Sequence, residues 1–132
     1  MPKVMIVDDD RTMVSLLKIL LEMDGFDVVN VTNGRDFLPK VREEKPDIVL
    51  LDVFLTNMDG KELVAEVRKS EDLSDLKVVM TSGMELAEQC ANAGADAFLL
   101  KPYTPEQLMK VLQDNLENFE GNVMPSATQG GS

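Results

Sequence analysis

Five short apolar runs punctuate the chain, and each is followed by a longer amphipathic stretch. Residues 4–7 (Val-Met-Ile-Val) are almost wholly apolar, the pattern of a strand covered on both faces. Residues 12–23 carry Met13, Leu16, Leu17, Leu20 and Leu21 at helical spacing, and Gly25 is a fitting C-terminal stop. Residues 27–31 read as a second strand. Asn33 and Gly34 open a second helix, with Pro39 several residues inside it, where a missing N–H should kink or delay the helix. Residues 47–51 form the third strand, and a helix over 60–69 turns Leu63, Val64 and Val67 inward. Residues 77–80 are a fourth strand, 85–93 a short helix ended by Gly94, and 97–100 a fifth strand. The last helix opens at Thr104 as N-cap and Pro105 at its first position, and carries Leu108, Val111, Leu112, Leu116 and Phe119. Strand and helix in strict alternation predict a doubly wound parallel sheet with right-handed crossovers and helices on both faces.

The length of 132 residues suits one domain, and 44% apolar residues suffice for a core. We place that domain at residues 1–120. Residues 121–132, rich in Gly, Ser, Pro and Gln, read as a disordered tail or the start of a linker. The chain has 13 basic and 24 acidic residues, a net charge of −11, which argues against direct binding of nucleic acid or of an anionic membrane. No apolar run approaches the ~20 residues of a membrane span, and the N-terminus lacks a signal-peptide layout. A lone cysteine, Cys90, excludes an internal disulfide and fits a reducing, cytoplasmic setting; it reads as a small buried apolar residue. The absence of histidine removes imidazole catalysis and imidazole metal ligation.

In open parallel sheets, ligands lie beyond the carboxyl ends of the strands. Here the first strand runs into Asp8-Asp9-Asp10 and the third into Asp52. The fourth ends at Thr81-Ser82-Gly83 and the fifth at Lys101-Pro102. If the winding is as read, acids, a hydroxyl and one cation converge. Two carboxylates 4 Å apart repel by roughly 4 kcal/mol at an effective dielectric near 20, so Asp8, Asp9 and Asp52 need protons or a cation. All-oxygen ligands suit a hard divalent ion such as Mg²⁺. Asp52 would then serve as a nucleophile toward a phosphoryl group, while Lys101 and the Thr81 hydroxyl meet its oxygens. Taken singly, each residue has a plainer reading: Asp10 as the cap of the first helix, Asp52 as a turn residue, Thr81 as a strand former. Their joint placement at four strand ends is what carries weight.

Four segments bear a further signal: residues 3–10 (KVMIVDDD), 46–52 with Met58-Asp59-Gly60 downstream, 78–83 (VVMTSG) and 94–103 (GADAFLLKPY). In that order they resemble the receiver domain of two-component response regulators over residues 3–119. The resemblance implies a flavodoxin-like five-stranded sheet of order 2-1-3-4-5 with five helices. It implies that Asp52 accepts a phosphoryl group from a histidine kinase or a phosphotransfer protein, that Asp9 binds Mg²⁺ directly and Asp8 through water, and that the Phe54 backbone carbonyl is a further ligand. Thr81 and Phe98 resemble the coupled switch pair, and Lys101 the phosphoryl-contacting cation followed by a cis bond to Pro102. The fourth helix carries only Leu86, Ala87, Cys90, Ala91 and Ala93 as modest core contacts. It is either merely short or a weakly anchored element that a phosphoryl group can shift. On the second reading the output face is the fourth helix, fifth strand and fifth helix, acting on a downstream protein or a fused output domain. The chain stands as a monomer or as a phosphorylation-dependent dimer. Tyr103 is a candidate partner contact on that face, its plainer reading being a half-exposed aromatic.

Three positions depart from the family pattern. Thr56 stands where a proline is usual. Phe54 puts a large apolar side chain beside the acceptor, where it is expected to shield an acyl phosphate from water. Pro39 interrupts the second helix. Three other functions compete. A phosphate-independent protein-binding module is opposed by the intact set Asp8, Asp9, Asp52, Thr81 and Lys101. An Mg²⁺-dependent aspartyl-phosphate phosphatase wants an acid two residues past the nucleophile, where Phe54 stands. A flavin-binding module needs a Ser/Thr/Gly-rich loop after the first strand, where this chain has three acids.

Overall fold

In the computed structural model, which describes residues 1–116, five parallel strands form the sheet: β1 (Lys3–Val7), β2 (Asp27–Val31), β3 (Ile48–Asp52), β6 (Lys77–Ser82) and β7 (Ala97–Leu100). A two-stranded antiparallel ladder, β4 (Phe54–Leu55) with β5 (Met58–Asp59), lies between β3 and β6 in the chain. The sheet order is β2-β1-β3-β6-β7, which is 2-1-3-4-5 when only the strands of the main sheet are counted. Five helices connect them: α1 (Arg11–Met23), α2 (Phe37–Glu44), α3 (Gly60–Lys69), α4 (Ala87–Ala93) and α5 (Pro105–Asn115). The doubly wound, flavodoxin-like reading therefore holds.

Period-two alternation along the strands divides the core into two layers. Met5, Val7, Val49, Leu51, Val78 and Met80 pack toward α2, α3 and α4, where they meet Phe37, Val41, Leu63, Val64, Val67 and Cys90. Val4, Ile6, Ile48, Leu50, Val79 and Leu99 pack toward α1 and α5, onto Val14, Leu17, Leu21, Leu108 and Leu112. Cys90 is fully buried as expected, and burial pushes its thiol pKa up, which keeps it protonated and unreactive.

Several boundaries differ from the sequence reading. The third strand runs one residue later, so Asp52 is its last residue rather than the first beyond it, and the fourth extends through Ser82. The second helix is delayed, as the proline required: a 3₁₀ turn over Gly34–Asp36 precedes α2, which starts at Phe37. Pro39 then falls in the first turn, where an amide hydrogen would find no partner within the helix. The fourth helix begins at Ala87 instead of residue 85, with the Glu85 carboxylate accepting from the Ala87 N–H (3.0 Å). The fifth helix opens as expected, on a capping box between Thr104 and Gln107, but ends at Asn115, so Leu116 is its C-cap. Phe119 and residues 121–132 lie outside the described residues, as does the end of the domain placed at residue 120.

The helix α1 holds the largest correction to the apolar pattern. Leu17 and Leu21 are buried with Val14, but Leu16 and Leu20 are not; they form an exposed stripe with Ile19 and Met23. A helix resting on a sheet buries only one stripe, and five apolar residues in two turns exceed its width.

Candidate functional site

The site is built by continuing the α1–α5 layer one pleat past its core. Ile6, Leu50, Val79 and Leu99 pack in that layer, and the next residues of the same parity are Asp8, Asp52, Thr81 and Lys101. Strand register sets them side by side: Asp52 is paired with Thr81, and the Lys101 N–H donates to the Ser82 carbonyl (2.8 Å) just past the end of β7. The peptide bond from Lys101 to Pro102 is cis. Backbone geometry thus delivers four of the residues singled out in the sequence to one edge of the sheet.

The three consecutive acids after β1 take three different roles. Asp8 is 3% exposed, and its Oδ2 accepts from Lys101 Nζ (3.1 Å) while its Oδ1 accepts from the Asp10 N–H (2.9 Å). Asp10 caps α1, accepting from the Met13 N–H (3.1 Å), as its plainer reading anticipated. Asp9 is exposed and turns toward the β4–β5 hairpin. Its Oδ2 accepts the Thr56 backbone N–H (2.8 Å) and the Thr56 hydroxyl. The hydroxyl bond is the main reason the Asp9 carboxyl lies below its ordinary pKa, against a smaller opposing effect of burial.

Lys101 Nζ also lies 3.4 Å from Asp52 Oδ2, so one ammonium bridges two carboxylates. Burial works against that charge, but its hydrogen bond to Asp8 and the nearby charges of Asp52 and Asp8 outweigh burial and raise its pKa. For Asp52, burial is the largest effect and pushes the carboxyl up. Lys101 pulls it back, the Asp8 charge raises it again, and the Phe54 N–H, 3.4 Å from Oδ1, lowers it slightly. One lysine among three acids leaves the cluster short of positive charge. Carboxylate oxygens of Asp8, Asp9 and Asp52 lie within 4.8 Å of one another. Hard oxygen donors that close, two of them buried or nearly so, fit a small divalent ion.

Gly60 is required for this crowding. A Cβ there would strike the Asp52 carbonyl, and the Gly60 N–H donates to the Val53 carbonyl (2.7 Å), which docks the start of α3 against the acceptor strand.

Thr81 is 2% exposed beside Asp52. Phe98 is register partner to Met80, one residue behind Thr81's own partner Leu99, and packs in the α2–α3–α4 layer. Thr81 and Phe98 therefore sit on neighbouring strands but on opposite faces of the sheet. The Phe54 side chain is 55% exposed.

Two contributors escaped the sequence reading. Thr56 was read only as a missing proline, yet it supplies two hydrogen bonds to Asp9, one of which a proline lacks the N–H to make and the other the hydroxyl. Tyr103, a candidate partner contact on the output face, is half-buried, as its plainer reading expects; it packs against the α1–α5 layer with its hydroxyl buried and unpaired. Burial, helped by the charges of Asp8 and Asp52, pushes the phenol up to about 12. The Lys-Pro-Tyr segment placed Tyr103 two residues from Lys101, a signal of proximity that was available.

Comparison with known proteins agrees over nearly the whole described chain. Residues 4–113 match the model of the response regulator receiver domain. The alkaline phosphatase synthesis transcriptional regulatory protein PhoP of Bacillus subtilis is 32% identical over 107 residues, which are 80% of this chain and 45% of that protein. The chain thus spans less than half the length of that relative. Among solved structures, the chemotaxis response regulator CheY4 of Vibrio cholerae superposes with a TM-score of 0.81 at 31% identity, covering 88% of this chain and 99% of that one. The response regulator TrrA of Thermotoga maritima, solved with Mg²⁺ and BeF, gives 0.80 at 25% identity, covering 88% and 100%. An acidic strand-end cluster bridged by a single lysine, on a sheet of this order and under a family match of this extent, marks the chain as a member of the response regulator receiver domain family of two-component signalling.

Proposed function

We propose that Asp52 accepts a phosphoryl group, in an Mg²⁺-dependent reaction, from a phosphohistidine on a histidine kinase or phosphotransfer protein. The observation that carries this reading is Lys101 Nζ at 3.1 Å from Asp8 and 3.4 Å from Asp52, within a cluster of three carboxylates. In the transfer, an Asp52 oxygen forms a bond to phosphorus as the nitrogen–phosphorus bond of the donor breaks, and the departing imidazole nitrogen keeps the electron pair and takes a proton. Asp52 must be ionised to attack, and Lys101 favours that state against the effect of burial. A divalent ion held by Asp8, Asp9, Asp52 and the Phe54 carbonyl would offset the charge that the carboxylates and the phosphoryl oxygens bring together. Lys101 then has a phosphoryl oxygen to pair with, and the Thr81 hydroxyl donates to another.

The protein acts as a switch rather than as an enzyme of repeated turnover. Movement of Thr81 toward a phosphoryl oxygen pulls on β6, and Phe98 on the adjacent strand responds from the other face. The element best suited to shift is α4, which spans seven residues, has no side-chain bond at its N-cap Leu86, and buries only Cys90 completely. The face of α4, β7 and α5 is the output surface, presented to a downstream protein or a fused output domain. Phe54 slows hydrolysis of the acyl phosphate, and Phe54→Asn is expected to lose the phosphoryl group faster. Among the described residues no helix is long and apolar enough to cross a membrane, in keeping with a reaction in the cytoplasm.

The test is incubation with a small acyl-phosphate donor and Mg²⁺, read by intact mass. One phosphoryl adduct that needs the ion and vanishes in Asp52→Asn supports the reading. No adduct, with the fold intact, leaves the phosphate-independent binding module in its place, and steady hydrolysis of phosphate esters favours the phosphatase.

A further inference from the structure

The four arginines of the chain fall into two pairs. Arg42 bonds Asp72, and Arg68 bonds Asp96 together with the carbonyls of Gly94, Ser74 and Leu76. Arg11 and Arg35 are exposed and have no side-chain hydrogen bond or ion pair among the described residues, although acids outnumber bases 24 to 13. Both line one groove, of ≈ 670 Å³. Arg11 enters it from the start of α1 and Arg35 from the 3₁₀ turn after β2. The β4–β5 hairpin closes it with Thr56. Asp9 is the wall shared with the acceptor cluster, its carboxylate already engaged by Thr56.

Two unpaired guanidiniums in a groove that shares Asp9 with the acceptor cluster meet a definite need. A donor of phosphoryl groups is anionic, and a chain of net charge −11 repels it except where cations are held locally. Planar guanidiniums bind carboxylates bidentately. At ≈ 670 Å³ the groove has the size of sites that enclose a ligand of many atoms, well beyond one carboxylate and its nearest carbons.

We propose that this groove binds an acidic segment of the phosphohistidine-bearing donor, its carboxylates against Arg11 and Arg35, while the phosphoryl group is aligned on Asp52. The proposal rests on Asp52 being the acceptor. It names a recognition element of the donor: at least one carboxylate close to the phosphohistidine, on the side facing α1 and the turn after β2.

The experiment uses two synthetic phosphohistidine peptides, one with glutamates flanking the histidine and one with glutamines there. Acetyl phosphate serves as reference donor, and the rate of adduct formation is read by intact mass. The glutamate peptide is expected to react about five-fold or more faster than the glutamine peptide, as two exposed ion pairs allow. In the double variant Arg11→Gln, Arg35→Gln that ratio falls toward one. Arg11→Lys with Arg35→Lys retains part of it, and added salt shrinks it in the wild type. Because the readout is a ratio, a general change in reactivity cancels. A wild-type ratio of one, or a ratio that survives the double glutamine variant, overturns the proposal. So does an arginine-dependent preference for succinyl phosphate over acetyl phosphate without one between the peptides, which would make the groove a small-molecule site. An Asp52 adduct from acetyl phosphate beside equal peptide rates overturns the proposal alone. No adduct from any donor overturns the Asp52 reading with it.

Discussion

The two ends of the sheet handle charge in opposite ways. At the amino ends of the strands, acids and bases are matched. Lys3 bonds Glu44 through its side chain and Asp47 through its backbone N–H. Arg68 ties the end of α4 and the start of β6 to Asp96, whose Oδ2 also accepts the Val78 N–H (2.8 Å). At the carboxyl ends, one lysine faces three acids, and Asp52 is held above its ordinary pKa by burial. The same residue types thus build scaffold at one end and leave unresolved repulsion at the other. Proteins tolerate such local conflict where a ligand is meant to relieve it.

Four substitutions probe that contrast, the largest effect first. Arg68→Ala should destabilise the protein by about 3 kcal/mol, since it removes four hydrogen bonds at once, those to the carbonyls of Gly94, Ser74 and Leu76 and that to the Asp96 carboxylate. Urea unfolding measures this, and a loss within experimental error would mean that the amino end is not the scaffold described. Asp52→Asn should act in the opposite direction, adding about 1 kcal/mol in metal-free buffer by removing a buried charge that faces Asp8. Its pH dependence has a fixed sign. A carboxyl whose pKa is raised on folding penalises the folded state above that raised value, and the penalty fades as the pH drops toward the ordinary carboxylate range. The advantage of Asp52→Asn should therefore narrow from neutral to mildly acidic pH; widening instead would contradict the assigned cause.

Tyr103→Phe should leave the protein as stable as the wild type or up to about 1 kcal/mol more stable, because a buried hydroxyl without a partner is removed at constant shape. A clear loss of stability would reveal a partner for that hydroxyl. Tyr103 is also the only tyrosine, and the chain has no tryptophan. Its emission is thus a local reporter, and should respond to Mg²⁺ in the wild type and fail to do so in Asp8→Asn. The smallest change is Thr56→Val, about 0.5 kcal/mol, since the pair it breaks is exposed and screened by solvent. Its clearer readout is the Asp9 titration, which should move back up toward the ordinary carboxylate value.

Much of this was legible in the chain because the information is local. The five apolar runs gave the strands, and Thr104-Pro105 the start of α5 in its capping box. Asp8, Asp52, Thr81 and Lys101 were found because the carboxyl end of a parallel strand is a predictable address. Leu16 and Leu20 were harder. Helical spacing shows that they share a face, but the width of the buried stripe depends on how α1 rests on the sheet. The limits of β6 and α4 shifted because pairing with neighbours extends a strand, and a single glutamate can supply a bond in place of the first turn of a helix.

The sequence by itself determined which elements form, in what order, and which acids, hydroxyl and cation stand at their ends, since periodicity and turn chemistry act over a few residues. Only the tertiary structure decided how those groups divide the work. It set Asp8 on Lys101 and Asp9 on Thr56, and it put Phe98 on the face opposite Thr81 and Tyr103 beneath the site. Those choices depend on strand register and on contacts between residues 47 to 93 positions apart, to which no local pattern is sensitive.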